Sequence, residues 1–245
     1  MYEDGIGREA LCFDGERFQS RERQLAAELP CRLYLDGELL SSFSCSPWQL
    51  SDLALGELRI RGLIRSASEL SELFADEEKM EIHAKLRPRD GCGGEELSGE
   101  ERMRRTEERI FVPIRSVQKL SRIFNEASRK FHRTGGIHAA ALADFERLLG
   151  RRNAMEKLLG ACLKEEPDLS GKLILFSGRI AAEILEGASL IGSPVLIAVS
   201  APSSMAVELA EKRGMTLIGF ARGEEFNIYT HPERIEGTML PSGPN

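Results

Sequence analysis

Long apolar runs are what this chain most clearly lacks. None approaches the roughly 20 consecutive apolar residues of a membrane-spanning helix, and the first residues hold no basic segment followed by an apolar one. A cytoplasmic protein that stays off membranes is expected. Paired cysteines are lacking too. Cys12, Cys31, Cys45, Cys92 and Cys162 are odd in number and far apart, with no Cys-x-x-Cys spacing and no histidine beside one in a metal-ligand pattern. Free thiols are expected, and a structural zinc site has little support. Excess positive charge is also absent. With 33 basic and 39 acidic residues the net charge is -6, which argues against broad binding to a nucleic-acid backbone but leaves room for a local basic pocket.

What is present is the material of a packed core. The chain has 245 residues, 42% of them hydrophobic and 29% charged, enough for one large domain or two small ones. A division is expected near residue 110: an N-terminal hairpin and helix part over 1–110, ending in a cysteine-bearing loop, and an α/β part over 111–245.

Residues 172–229 organise the rest. Two apolar runs, 172–176 and 195–199, and a third at 215–220 are separated by segments of helical period at 180–190 and 205–212. The unit reads β-α-β-α-β, and continuous apolar strands joined by helices imply a parallel sheet covered on both faces. In such sheets ligands sit beyond the carboxyl ends of the strands. Three turns stand there: Ser177-Gly178-Arg179; Ser200-Ala-Pro-Ser203-Ser204; and Phe220-Ala221-Arg222-Gly223. Hydroxyls, small residues and two arginines beside helix N-termini make a seat for phosphate. Each turn alone is equally an ordinary tight turn; three together favour a site. The stretch has neither Gly-x-Gly-x-x-Gly nor Gly-x-x-x-x-Gly-Lys, so a nucleotide would bind by neither of those routes.

Upstream, Asp36-Gly37 between apolar runs predicts a hairpin over 31–43. Ser46 and Pro47 predict a helix start, with Trp48 as a core anchor and the helix ending near Arg61 or Gly62. Residues 80–86 alternate as a half-buried strand with His83 toward solvent. Ser116 is expected to cap a helix that Thr134-Gly-Gly136 ends, and 145–163 reads as helix. His138, just after those glycines, is placed either to line a pocket or to sit hydrogen-bonded in the core. Between them, 87–109 is crowded with Arg, Glu and Gly, and a polar loop of this length is usually functional or mobile. Cys92 lies in it among Gly91, Gly93 and Gly94, with Arg87 and Arg89 nearby to favour the thiolate, so it is the expected nucleophile. The alternative is an exposed thiol in a charged loop.

Several of these pieces together resemble the formate dehydrogenase accessory sulfurtransferases of the FdhD type. They are Ser46-Pro47 with Leu50, Asp52-Leu-Ala54 and Gly56; Thr134-Gly-Gly136 with His138-Ala139; Gly150-Arg151 with Asn153-Ala154 and Lys157; and Ser177-Gly-Arg179, Ser200-Ala-Pro with Ser204 and Ala206, and Gly219-Phe220 with Arg222 and Tyr229-Thr230. The match is collinear from about residue 33 to 235. The resemblance implies a cytidine-deaminase-like three-layer α/β fold with a mixed, largely parallel sheet, and a homodimer. It also implies a sulfur carrier that passes persulfide sulfur, on Cys92, from a cysteine desulfurase to the molybdenum bis(molybdopterin guanine dinucleotide) cofactor before that cofactor enters formate dehydrogenase. The guanine nucleotide ends, and guanosine diphosphate as their mimic, would contact the turn Phe220, Ala221, Arg222, Gly223, Glu224 and Glu225 and the neighbouring strand ends. A cofactor-binding chaperone without covalent chemistry is the alternative. The chain is a diverged member on this reading. The family's loop usually carries Cys-Gly-x-Cys-Gly where one thiol stands here, and its Glu-Asp-Val-Gly-Arg-His-Asn-Ala is here Arg147-Leu-Leu-Gly-Arg-Arg152-Asn-Ala154. A zinc deaminase would need His-x-Glu and Pro-Cys-x-x-Cys; His138-Ala139-Ala140 supplies neither, so no zinc is expected.

Overall fold

Short apolar strands buried on both faces set the architecture of the main sheet. In this computed structural model, residues 6–88, 110–128, 138–144, 148–152 and 155–238 are described. Strands β7 (Ala140–Ala143), β8 (Leu148–Arg152), β9 (Leu173–Phe176), β10 (Val195–Ala198), β11 (Thr216–Arg222) and β12 (Glu225–Thr230) form a sheet in the order β12-β11-β10-β9-β7-β8. Successive side chains point to opposite faces. On one face Ala140, Ile174, Phe176, Leu196 and Leu217 pack under α3 (Met155–Glu165), α4 (Ala182–Ile191) and α5 (Ser204–Arg213). On the other, Ala141, Leu175, Ile197 and Ile218 pack under Val117, Leu120 and Phe124 of α2 (Ile114–Ala127).

The expected β-α-β-α-β unit is present, and β9, β10 and β11 run parallel. The sheet as a whole is mixed rather than largely parallel, because β7, β8 and β12 are antiparallel to their neighbours. Strands β11 and β12 are joined by a short turn that leaves no room for a crossover, and only an antiparallel pair closes over so few residues.

A second sheet, order β4-β3-β6-β5, is built from β3 (Leu29–Leu35), β4 (Glu38–Cys45), β5 (Leu70–Asp76) and β6 (Glu81–Leu86). Asp36 and Gly37 both take positive φ, 51° and 88°, as the hairpin expected from the Asp-Gly pair requires. His83 is exposed, as expected, and stacks on Tyr34 at 4.8 Å. Helix α1 (Leu50–Ile60) buries Leu50, Leu53, Ala54 and Leu58 against this sheet. An antiparallel arm, β1 (Ile6–Phe13) with β2 (Phe18–Leu25), precedes it.

Four local expectations are corrected. Residues 145–163 are not one helix. Leu148–Arg152 pairs with β7 as a strand, and α3 starts at Met155, because tandem leucines fit a strand beside a buried neighbour as well as a helical stripe. Ser46 caps nothing: α1 begins at Leu50 after Gln49 in a left-handed conformation, and the Ser46 hydroxyl accepts from Lys157 instead. Ser116 lies inside α2 and is buried, while Pro113 takes the N-cap place. Trp48 is half-buried rather than a core anchor, and what it contributes is its carbonyl, also an acceptor for Lys157.

Candidate functional site

The carboxyl ends of β9, β10 and β11 meet in one ledge. The Ile180 N–H donates to the Ala201 carbonyl at 3.1 Å and the Ser203 N–H to the Ile180 carbonyl at 2.8 Å, stitching the first turn to the second. The Phe220 N–H donates to the Ser200 carbonyl at 3.2 Å, which ties in the third. Gly219 makes that approach possible, since a Cβ there would stand 3.0 Å from the Ser200 carbonyl oxygen. The first two turns that the strand-end rule singled out are therefore adjacent, and the third stretch lies beside them, not as a turn but as an irregular part of β11, which runs on to Arg222 and turns only at Gly223 and Glu224. There Phe220 has φ of 53° and the β11–β12 register slips. A bulky residue held in the left-handed region is strained, and such strain is concentrated at ligand-handling places. Phe220 is 43% exposed, open to whatever lies along the ledge.

The individual side chains divide by task. Ser177 is buried and structural: its hydroxyl accepts from the Ala139 N–H at 2.9 Å and lies 3.3 Å from His138 Nδ1. Gly178 leaves room for that histidine, because a Cβ would come within 3.0 Å of His138 Nδ1 and 2.9 Å of Phe176. Desolvation by these neighbours holds the His138 imidazole below its ordinary pKa, so it is neutral at pH 7. Ser203 caps α5, accepting from the Ala206 N–H at 3.2 Å. Arg179, Arg222, Gly223, Glu224 and Glu225 are exposed. The Arg222 Nε–H donates to the Val199 carbonyl at 3.0 Å, which aims its guanidinium along the sheet edge.

Two concave surfaces flank the ledge. On the α2 side, Ala221, Arg222 and Gly223 face Ser121, Arg122 and Asn125 across a groove of about 390 Å³. On the α3 side, His138 and Phe176 open into a larger cleft of about 620 Å³, walled by Phe43 and Cys45 of β4, Glu57 and Arg61 from α1 and its end, and Lys157 of α3. Lys157 is 1% exposed, and its ammonium donates to the Ser46 carbonyl, the Ser46 hydroxyl and the Trp48 carbonyl, so all three of its protons are placed. Cys45 lines this cleft with Cys31 beside it. Hydrogen bonding to Cys45 holds the Cys31 thiol below its usual pKa, and the same contact, with burial, pushes that of Cys45 up. Cys92 lies outside the described residues.

The family model for the FdhD/NarQ family matches residues 26–236. The chain belongs to that family. It is 33% identical over 253 residues to the "Sulfur carrier protein FdhD" of Bacillus licheniformis, covering 94% of this chain and 96% of that one. With the protein of the same name from Geobacillus kaustophilus the identity is 33% over 243 residues, covering 89% and 92%. A crystal structure of a putative formate dehydrogenase accessory protein from Desulfotalea psychrophila superposes with a TM-score of 0.80 at 22% identity, over 94% of this chain and 98% of that one, and shows the same fold.

For this FdhD/NarQ member, reading from the sequence found the ledge but missed most of the larger cleft. Of its walls only His138 was singled out as a site residue. Lys157 and Ser46 stood 111 positions apart as unconnected pieces of the family pattern, and no periodicity relates them; their contact is made only when α3 crosses α1.

Proposed function

We propose that this FdhD/NarQ protein carries persulfide sulfur on Cys92 from a cysteine desulfurase to molybdenum bis(molybdopterin guanine dinucleotide), its substrate, before that substrate enters formate dehydrogenase. The Cys92 thiolate attacks the terminal sulfur of the desulfurase persulfide, the old S–S bond breaks, and the donor cysteine leaves as thiolate. Sulfur moves with no net oxidation. The observation that carries the reading is the joining of two strand-end turns and the irregular end of β11 into one ledge, with the Arg222 guanidinium beside helix-capping turns that suit phosphate. The names of the relatives support the same role. The helix, sheet, helix layering supports the cytidine-deaminase-like fold, and the family resemblance a homodimer.

Incubation with a cysteine desulfurase and cysteine, followed by mass spectrometry, tests the chemistry: Cys92 is expected to gain one sulfur. If Cys92 stays unmodified while guanosine diphosphate still binds, the chain is a cofactor-binding chaperone instead. Binding tests the placement. Arg222→Ala should weaken guanosine diphosphate by about tenfold or more, the cost of a lost charged hydrogen bond of roughly 1.5–3 kcal/mol. Unchanged affinity would move the nucleotide ends away from the Phe220–Glu225 turn.

A further inference from the structure

The larger cleft holds a pair of sulfurs. In the β3–β4 ladder Cys31 pairs with Phe43 and Leu29 with Cys45. Directly paired residues and those two positions apart share a face of a sheet, so Cys31 and Cys45 are diagonal neighbours on the face that α1 covers. Cys31 is buried, at 1% exposure, whereas Cys45, the last residue of β4, is partly exposed and lines the cleft. The Lys157 ammonium is held by both the carbonyl and the hydroxyl of Ser46, the residue next to Cys45. A fixed cation there favours a sulfur anion in this pair, and the contact between the two thiols puts it on Cys31, whose pKa is held low, so Cys31 is set to take the proton of Cys45. Among the described residues the other two thiols lack this setting: Cys12 is on the outlying arm, taking a hydrogen bond from Arg23, and Cys162 packs beside the central core.

We propose that Cys45 is a second sulfur-accepting thiol of this protein and Cys31 its resolving thiol. The inference rests on the reading of the chain as a sulfur carrier and names a site for sulfur that is separate from Cys92. In the first step the Cys45 sulfur attacks the terminal sulfur of a persulfide or polysulfide donor while its proton passes to Cys31. The donor S–S bond breaks, the donor thiolate leaves, and Cys45 holds a persulfide. In the second step Cys31, having lost that proton to solvent, attacks the Cys45 sulfur. Hydrosulfide leaves, its sulfur having gained two electrons, and the two thiols have lost two in forming a Cys31–Cys45 disulfide. A low-molecular-weight thiol resets the pair by exchange. The cleft supplies space for the donor, and the strand end supplies the play that a diagonal pair needs to close.

The full chain, reduced and then treated with inorganic polysulfide, tests this by peptide mapping. The expected result for the unaltered protein is a Cys31–Cys45 disulfide with release of hydrosulfide. Cys31→Ser should instead accumulate one extra sulfur on Cys45, and Cys45→Ser should show neither product. Thermal unfolding of each variant checks that it folds, and Cys31→Ala replaces Cys31→Ser if the buried hydroxyl prevents folding. Cys92 is read in the same digests. Sulfur on Cys92 but never on Cys45 in a folded Cys31 variant overturns the inference and leaves the carrier reading intact. Sulfur on Cys45 but not on Cys92 does the reverse. Sulfur on neither overturns both.

Discussion

Lys157 and His138 show how the cleft controls charge residue by residue. A lysine in the interior is tolerable only when its protons are all bonded, and the two Ser46 acceptors with the Trp48 carbonyl meet that need. His138 is treated oppositely, since its surroundings oppose the imidazolium and lower its pKa. The unfolded chain then binds more protons than the folded one between the depressed folded pKa and the ordinary value of about 6.5. Stability from this group is complete above about pH 6.5 and is lost as the pH falls through the folded pKa. His138→Gln should therefore show a smaller drop in Tm than the parent when the pH is taken from about 7 to about 5. Parallel pH profiles for the two proteins, followed by circular dichroism, would show that desolvation of this ring is not felt in stability.

At the scale of elements, the crossing of α1 over α3 forms one wall of the cleft. Two helical glycines make the crossing: a Cβ at Gly56 would stand 2.0 Å from the Glu156 carbonyl oxygen, and one at Gly160 only 1.7 Å from that of Asp52. These are backbone atoms that cannot turn aside. In an exposed helix, Gly→Ala gains about 1 kcal/mol, whereas forcing a methyl into a packed contact costs roughly 1–3 kcal/mol or more. The second effect wins here, so Gly160→Ala is expected to lower the urea midpoint; a raised midpoint would mean that the helices stand further apart. This crossing was not legible in the sequence, where Gly56 and Gly160 are merely weak points in two amphipathic patterns. Strands β9, β10 and β11 were legible, because runs such as Leu173–Phe176 are apolar without alternation and flanked by turn residues. The β8 segment was misread because Leu148 and Leu149 satisfy either period, and the choice fell to the neighbouring strand.

For the molecule as a whole, the β1–β2 arm stands apart. Its strands pack chiefly on each other, and Leu11, Phe13 and Phe18 are 71%, 59% and 65% exposed. The family match starts at residue 26, directly after the arm. A lone two-stranded hairpin adds little stability. Removal of residues 1–25 should shift Tm by no more than about 2 °C, the size expected for a change of some 0.5 kcal/mol in a chain of this length. A fall of about ten degrees in differential scanning calorimetry, several kcal/mol on the same scale, would show that the body depends on the arm.

The sequence by itself determined the parallel strand unit, the Asp-Gly hairpin and the places of the first two strand-end turns. Each of these is encoded within a few residues, by apolar runs, by positive-φ turn chemistry and by where a strand stops. The tertiary structure alone decided that Lys157 reaches Ser46, that His138 leans on Ser177, and that Cys45 faces a cleft with Cys31 at its side. Those contacts join residues far apart in the chain, and local patterning carries no information on which helix will cross which, because that is settled by how two backbones can approach.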